Sequence, residues 1–228
     1  MTHNATELAK PASSLLTPDN SALLLVDHQS QMGIGVRNTN LAEVIDNTAQ
    51  LAASARLFEV PTLLTTVAET FSGPVFDKVV SELDEKVVTD RIERTTVNAW
   101  EDERVVDWVL QTGRKKLVIA GLWTEICVAY PALSAIEAGF EVYFVEDASG
   151  GVSETAHRAA INRMLQAGAV PITSAQYLYE LHRDWANADK YNDVIDIAKK
   201  YQGVFGIGIE YYQFQAAKIA EAEAANSQ

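Results

Sequence analysis

The stretch KLVIAGLWTEICVAYPALSAIEAG, residues 116–139, predicts a buried strand, a sharp turn and the start of a helix. Residues 117–120 are a short continuous apolar run that ends at a glycine, which is typical of an interior strand of a parallel sheet. Thr124 is a suitable N-cap, so Cys127, the only cysteine of the chain, is expected in the first turn of the helix. In open α/β sheets, ligands bind at the carboxyl ends of the strands, which is where this cysteine lies.

Cys127 has two interpretations at this stage. The amide groups and the positive end of the helix dipole would lower its thiol pKa and favour the thiolate form. A lone cysteine is, however, more often a small buried hydrophobic residue than a nucleophile. The choice depends on whether another strand end supplies a base.

Strands and helices alternate on both sides of this stretch. Asn40 is a suitable N-cap for an amphipathic helix over residues 41–58. Further strands are predicted at residues 21–27, 60–67, 140–145 and 169–173, and further helices at residues 74–83, 102–112, 153–168 and 175–185. Residues 68–73 are predicted to form a loop, and residues 87–100 a loop or an irregular strand. This alternation predicts a three-layer α/β/α, Rossmann-like fold with a mostly parallel central sheet.

The chain is expected to divide into three parts. Residues 1–20, rich in Ser, Thr, Asn and Pro, are predicted to be an N-terminal arm, residues 21–186 one domain, and residues 187–228 a helical C-terminal extension. Residues 201–209 of the extension are apolar and rich in glycine. Exposed apolar segments of this kind commonly mark contacts between subunits, so a homo-oligomer is expected.

Composition excludes several classes of partner. The 228 residues include 31 acidic and 18 basic side chains, a formal net charge of −13, and no basic cluster. We therefore expect no nucleic-acid or anionic-membrane partner. No apolar run approaches the roughly 18 residues of a membrane span, and the N-terminus lacks the apolar centre of a signal peptide. A single cysteine fits a reducing compartment, so a cytoplasmic protein is expected.

Other strand ends supply the partners that a nucleophilic thiol needs. Asp27 follows the first predicted strand, where it either faces the crevice of the sheet or serves as a turn residue. Arg94, or else Arg91, could bring a guanidinium to the same edge. A carboxylate can take the thiol proton, and a cation keeps the carboxylate ionised. Candidates for lining the pocket, some of which are equally suited to the core, are Gln31, Glu69, Phe71, Trp100 and Trp123.

Four segments together resemble a known family. They are ALLLVDHQ at residues 22–29, RTTVNAWED at 94–102, VIAGLWTEICVAYPALSAIEAGFEV at 118–142 and VEDASGG at 145–151. In these segments the chain resembles the isochorismatase-like cysteine hydrolases, which include nicotinamidases and N-carbamoylsarcosine amidases. The YcaC-like members are the most similar, because they also share the segment ELHRDW at residues 180–185. The resemblance covers about residues 20–190 and implies the isochorismatase-like hydrolase fold for the domain.

The resemblance implies a catalytic triad of Asp27, Arg94 and Cys127. The family usually has a lysine at the middle position, where this chain offers only arginines. Arg94 fits the spacing to residues 98–100 better, and Arg91 stays an alternative. An arginine can orient and stabilise the carboxylate but is a poor proton donor or acceptor.

The resemblance also implies an oxyanion hole, and it bears on whether the chain has a metal site. The backbone amides of Trp123 and Cys127 would form an oxyanion hole, with a cis peptide bond between Leu122 and Trp123. Nicotinamidases of the family carry a metal site with several histidines soon after the first Asp, whereas this chain has His28 and then none until His157. We therefore expect no metal and no cofactor, and a core or surface role for His157 and His182.

The predicted function is hydrolysis of a C–N bond, in an amide or carbamoyl compound of small size, through a thioester on Cys127. One alternative is hydrolysis of a vinyl ether of the isochorismate type, which in this superfamily proceeds without the cysteine. Another is a non-catalytic or redox-sensing oligomeric scaffold. The resemblance to YcaC-like proteins further implies a homo-oligomer, with an octamer as one such form.

Overall fold

The computed structural model describes residues 9–226 and contains a six-stranded sheet. The strands are β1 (Ser21–Val26), β2 (Thr62–Val67), β3 (Ile92–Arg94), β4 (Lys116–Gly121), β5 (Glu141–Val145) and β6 (Val170–Ile172). Their order is β3-β2-β1-β4-β5-β6, and every neighbouring pair is parallel. The predicted α/β fold with a parallel central sheet is confirmed.

Helices connect the strands and extend the chain beyond the sheet. They are α1 (Ser30–Ile34), α2 (Leu41–Leu57), α3 (Glu69–Ser72), α4 (Asp77–Val80), α5 (Glu85–Thr89), α6 (Glu103–Thr112), α7 (Ala129–Glu137), α8 (Glu154–Ala167), α9 (Ser174–His182), α10 (Ala188–Tyr201) and α11 (Val204–Asn226). A π-helical turn, Thr124–Val128, leads into α7, and single 3₁₀ turns occur at Ala99–Glu101 and Glu146–Ala148. Asn40 caps α2 through its side chain, as its position predicts.

The sheet is covered on both faces, because alternate residues of a strand point to opposite sides. Leu23 and Leu25 of β1 pack in one apolar cluster with residues of α2 and α9. Leu24 and Val26 pack in a second cluster with residues of α6, α7 and α8. The three-layer α/β/α architecture is therefore confirmed, and the interior strands are apolar on both faces as parallel strands require.

The structure refines three local predictions. Residues 92–94, predicted as a loop or irregular strand, form the short edge strand β3, which pairs with β2. Residues 69–72, predicted as a loop, form the single turn of α3. Helix α9, predicted at residues 175–185, begins at Ser174 and ends at His182, and Thr173 caps it in a capping box that satisfies two backbone amides.

The N-terminal segment contacts its own sheet. Leu16 is fully buried, and the carbonyl oxygens of Ser13 and Leu15 accept hydrogen bonds from Lys116 Nζ at the start of β4. This part of the predicted arm therefore packs on the domain instead of extending from it. The remainder of the predicted arm, residues 1–8, lies outside the described residues.

The C-terminal extension begins with a helix that docks on α2. Glu82 accepts hydrogen bonds from Tyr201 Oη at 2.7 Å, from Arg56 at 2.9 Å and from Lys200. Val194 of α10 is fully buried. Helix α11, in contrast, exposes large apolar side chains at Val204, Phe205, Ile207, Tyr211, Tyr212, Phe214 and Ile219. Within residues 9–226, no helix is long and apolar enough to cross a bilayer.

Candidate active site

The site lies where the strand order changes direction, between β1 and β4, at their carboxyl ends. Val26, the last residue of β1, pairs with Gly121, the last residue of β4. A Cβ at position 121 would lie 2.6 Å from the Val26 carbonyl oxygen, so a glycine is required for this close approach. Asp27 directly follows one strand and the turn that carries Cys127 follows the other. The crevice at such a switch point is where α/β sheets bind ligands.

Asp27 leaves the strand in a left-handed conformation, with φ of 56°. This region is uncommon for residues other than glycine, although Asp is among those that tolerate it. The Asp27 amide donates to the Thr65 carbonyl at 3.1 Å, and the Asp27 carbonyl accepts from the Gln29 amide at 2.7 Å. These bonds hold the carboxylate at the edge of the sheet.

Asp27 forms a buried ion pair with Arg94, the last residue of β3. Arg94 Nη2 donates to Asp27 Oδ2, and both side chains are fully buried. Arg94 Nη1 donates to the carbonyl oxygens of Thr96 and Val97, which fixes the guanidinium from its other side. Among residues 9–226, no N–H or O–H group donates to Asp27 Oδ1.

Cys127 interacts with the same carboxylate. Burial raises the pKa of the Cys127 thiol, and the negative charge of Asp27 and its hydrogen bond with the thiol raise it further, while Arg94 and the Trp123 amide oppose this. Burial also raises the pKa of Asp27 against the opposing effects of Arg94 and Cys127. The expectation of a lowered thiol pKa is therefore wrong. Burial and the nearby negative charge therefore favour the protonated thiol and outweigh the helix dipole.

Trp123 directly precedes the π-helical turn, Thr124–Val128, that carries Cys127. The peptide bond between Leu122 and Trp123 is cis, as the resemblance implies. The Trp123 amide is directed at the Cys127 sulfur, whose pKa it lowers. The Cys127 amide, by contrast, donates to the Trp123 carbonyl at 2.8 Å. Of the two amides expected to form an oxyanion hole, that of Trp123 faces the Cys127 sulfur and that of Cys127 is bonded to the Trp123 carbonyl.

The indole of Trp123 is fixed beneath α1. Its Nε1 donates to the Met32 carbonyl at 2.8 Å. A Cβ at Gly35 would lie 2.6 Å from the indole ring, so the ring occupies the space that a side chain at position 35 would need. The loop after β1 and the turn after β4 are thus locked together.

The N-cap predicted at Thr124 is wrong. Trp123 occupies the N-cap position and makes no side-chain capping bond. The Thr124 hydroxyl lies instead 2.9 Å from His157 Nδ1, on α8. Both side chains are buried.

Arg91 does not contact Asp27. Its Nε lies 2.5 Å from Glu69 Oε1 and its Nη2 lies 2.9 Å from Glu69 Oε2, in a pair that is partly exposed. Of the two arginines left open by the sequence, only Arg94 lies against Asp27. Glu69, a candidate for the pocket, is committed to Arg91 and to the Thr66 hydroxyl at 2.8 Å.

The other pocket candidates occupy different environments. Phe71, on α3, is 81% exposed. Trp100 packs edge-on against Phe140, with ring centroids 5.6 Å apart, and lies against the apolar cluster that contains Cys127. Gln31 is half-buried in α1. Trp123 is thus the candidate that the structure brings next to the nucleophile.

Sequence reasoning assigned no role to two residues that support Asp27. Gln29 is buried, and its side chain donates to Gly73 O at 2.8 Å and accepts from the Val67 amide at 2.8 Å, which ties the ends of β1 and β2 together. His28 Nε2 lies 3.0 Å from the Ala148 carbonyl, and burial lowers the His28 pKa to about 4. The segment VDHQ, residues 26–29, contains both residues, but their hydrogen-bond partners are apparent only in the folded structure.

No cluster of three or more His, Cys, Asp or Glu side chains within residues 9–226 has the geometry to hold a metal ion. The site itself presents a thiol, a carboxylate that can take its proton, a fixed cation and a backbone donor.

Comparison with known proteins identifies the family of the chain. The family model for the isochorismatase domain matches residues 21–176, more than half of the chain. The probable hydrolase YcaC of Escherichia coli is 42% identical over 174 residues, which cover 75% of this chain and 82% of that protein.

Two solved structures show the same relationship. The E. coli YcaC crystal structure, described as an octameric hydrolase of unknown specificity, has a TM-score of 0.82 at 37% identity and covers 90% of this chain and 100% of its own. YcaC from Pseudomonas aeruginosa, solved with hexane-2,5-diol and covalent acrylamide, has a TM-score of 0.80 at 34% identity with the same coverage. The chain therefore belongs to the isochorismatase family and is a YcaC-like member of these hydrolases.

Proposed function

We propose that the chain is a cysteine hydrolase that cleaves the C–N bond of a small amide or carbamoyl compound through a thioester on Cys127. The observation that carries this proposal is the buried Asp27 carboxylate, which interacts with the Arg94 guanidinium through one oxygen and with the Cys127 thiol. A thiol becomes an effective nucleophile when an adjacent base takes its proton.

The first step is attack by sulfur on the carbonyl carbon. The Cys127 proton passes to Asp27 as the S–C bond forms and the carbonyl electron pair moves onto oxygen. Burial raises the pKa of Asp27 and so makes it a stronger base, while the charge of Arg94 opposes that rise and favours the ionised form. The Trp123 amide, which faces the sulfur, donates to the oxyanion in this proposal. The Cys127 amide can join it once its bond to the Trp123 carbonyl opens.

The second step releases the amine and then the acid. The C–N bond breaks as nitrogen takes the proton held by Asp27, which leaves a thioester on Cys127. Asp27 next accepts a proton from water, the water oxygen attacks the thioester, and the sulfur leaves and regains its proton from Asp27. Arginine stays protonated, so one carboxyl group carries every proton transfer.

Two further features support the proposal. Acrylamide is an electrophile that thiols attack, and the P. aeruginosa relative was solved with covalent acrylamide, so we expect Cys127 to react in the same way. The E. coli relative is octameric, and α11 exposes large apolar side chains. We therefore propose a homo-oligomer. We also propose that Gln31, Glu69, Phe71 and Trp100 line the approach to the site together with Trp123.

The test is a screen of small primary amides and N-carbamoyl compounds for release of ammonia or amine. We expect turnover by the wild type, trapping of an acyl group on Cys127 by mass spectrometry after a rapid acid quench, and loss of both in Cys127→Ser. His182→Gln, which removes a buried histidine outside the site, is the control and should keep full activity.

Two outcomes would reject the proposal. Turnover that persists in Cys127→Ser would favour cysteine-independent chemistry such as vinyl ether hydrolysis. No turnover of any compound, together with an acrylamide-inert Cys127, would favour the non-catalytic scaffold.

A further inference from the structure

His157 lies on α8 behind the nucleophile turn, Thr124–Val128, and takes no part in the mechanism above. Its Nδ1 is 2.9 Å from Thr124 Oγ1, although the two residues are 33 positions apart in sequence. Thr124, the first residue of the turn, is fully buried, and His157 is 8% exposed. A hydrogen bond between two buried side chains is costly to leave unmade.

The turn depends on contacts of this kind. A π-helical turn is rare and occurs mostly at functional sites, where its surroundings have to hold it. The Thr124 amide donates to the Gly150 carbonyl at 2.9 Å, and Glu125 Oε1 accepts from the Val152 amide at 3.1 Å. The residues between these anchors are tight against His157, because a Cβ at Gly151 would lie 3.0 Å from the His157 Cβ.

The direction of the His157 bond follows from the charges around the ring. Burial lowers the His157 pKa, against the opposing effects of Glu146, Glu154 and Glu125, so the ring is neutral at neutral pH. Glu146 Oε1 lies 4.0 Å from Nε2 and favours the tautomer that carries its proton there. Nδ1 then accepts a hydrogen bond from the Thr124 hydroxyl.

We propose that His157 is a positioning residue: by accepting the Thr124 hydroxyl through Nδ1, it fixes the turn that holds the Cys127 thiol against Asp27. The proposal builds on Asp27 and Cys127 acting as a pair, as the proposed function requires. A turn that loses this anchor lets the thiol move away from the carboxylate.

The experiment measures the rate at which iodoacetamide alkylates Cys127 in the full chain at pH 8, which needs no substrate. The rate follows the fraction of thiolate, so each unit by which the thiol pKa falls raises it about tenfold. Asp27→Asn sets the scale, because it removes the carboxylate altogether. Thr124→Val and Thr124→Ser form one matched pair, since only serine keeps the hydroxyl.

His157→Gln and His157→Asn form the second pair. An asparagine amide lies where Nδ1 lies and can accept from Thr124, whereas a glutamine amide lies near Nε2. We expect Thr124→Val and His157→Gln to be alkylated about threefold to tenfold faster than the wild type, in the same direction as Asp27→Asn. Thr124→Ser, His157→Asn and the control His182→Gln should keep the wild-type rate.

A double-mutant cycle separates positioning from mere exposure of the thiol. If Thr124→Val acts by moving the thiol from Asp27, it has no further effect in the Asp27→Asn background. Equal acceleration in both backgrounds, or a wild-type rate in Thr124→Val, would overturn the inference. If His157→Gln fails to fold, the Thr124 variants still test the positioning role of His157. An Asp27→Asn rate equal to that of the wild type would instead reject the Asp27–Cys127 pair and with it the proposed mechanism.

Discussion

Arg94 and Asp27 form an ion pair in which both side chains are completely removed from solvent. Taking two charges out of water is expensive, and it is tolerated only when each offsets the desolvation of the other. The pair joins the edge strand β3 to the central strand β1, across β2. It therefore contributes to the stability of the sheet edge as well as to the chemistry proposed for Asp27.

Replacing Arg94 by Gln should be severely destabilising. The Asp27 carboxylate would remain buried without its cation, which typically costs about 3 to 5 kcal/mol of unfolding free energy. Arg94→Lys keeps the charge but not the forked geometry, so a smaller loss is expected. Urea denaturation at pH 7.5 measures both.

Arg91→Gln is the control for that prediction. Arg91 pairs with Glu69 where both side chains are partly exposed, so its loss should cost no more than about 1 kcal/mol. Equal stability of Arg94→Gln and Arg91→Gln would show that the buried pair contributes little.

Asp27→Asn should make Cys127 more reactive toward iodoacetamide while abolishing hydrolysis. The Asp27 charge and hydrogen bond raise the thiol pKa, and Arg94 lowers it, so removing the carboxylate lets the thiol pKa fall. Alkylation at pH 8 is expected to accelerate, by about tenfold for each unit by which the thiol pKa falls. A slower reaction would mean that Asp27 acts as the base even toward iodoacetamide.

Because of His28, the free energy of unfolding should fall in mild acid. Its pKa is about 4 in the folded chain and 6.5 in the reference state. Between these values the unfolded chain binds a proton that the folded chain does not. The stability that neutral His28 allows is therefore complete above pH 6.5 and is lost as the pH falls toward 4, by about 3 kcal/mol at most.

His28→Gln tests this pH dependence. Glutamine can still donate to the Ala148 carbonyl but does not titrate. Urea unfolding between pH 7.5 and 4.5 should show a shallower loss of stability for the variant than for the wild type. Parallel curves for the two proteins would count against the assignment to His28.

Gly35→Ala should disturb the nucleophile turn through Trp123. The added methyl group would meet the indole ring at 2.6 Å, and overpacking of this kind costs about 1 to 3 kcal/mol. Thermal unfolding and the tryptophan emission spectrum report the change.

Gly208→Ala is the matched control, because no heavy atom lies within 4 Å of the added carbon there. In helix α11 alanine is favoured over glycine by about 1 kcal/mol, so the two substitutions should have opposite signs. A Gly35→Ala protein as stable as the wild type would show that the indole can move freely.

The fold and the meeting of Asp27 with Cys127 could be predicted because both follow from short-range patterns. Continuous apolar runs marked β1 and β4. Parallel strands end at one edge of a sheet, so Asp27 and Cys127, which follow these two strands, were expected to lie close together. Arg94 was preferred over Arg91 on spacing, but its contact with Asp27 depends on β3. That strand pairs at three positions only, which is too short for a hydrophobic period to reveal.

The direction of the thiol pKa could not be predicted from the first turn of a helix alone. A helix dipole lowers a thiol pKa, but burial and the Asp27 charge raise the Cys127 pKa by more, and both of these effects depend on tertiary structure. The Thr124 hydroxyl was likewise assigned to a helix cap because only the local sequence was considered. Its partner His157 lies 33 positions away, and no local pattern points to it.

Glu82 holds the C-terminal extension on the domain. Its carboxylate is buried and receives donors from Tyr201 and Lys200 of α10 as well as from Arg56. Helix α10 therefore both covers this acid and supplies the hydrogen bonds that water would otherwise make. The carboxylate serves as an attachment point for the extension, so a neutral residue in its place would weaken the contact of α10 with the domain.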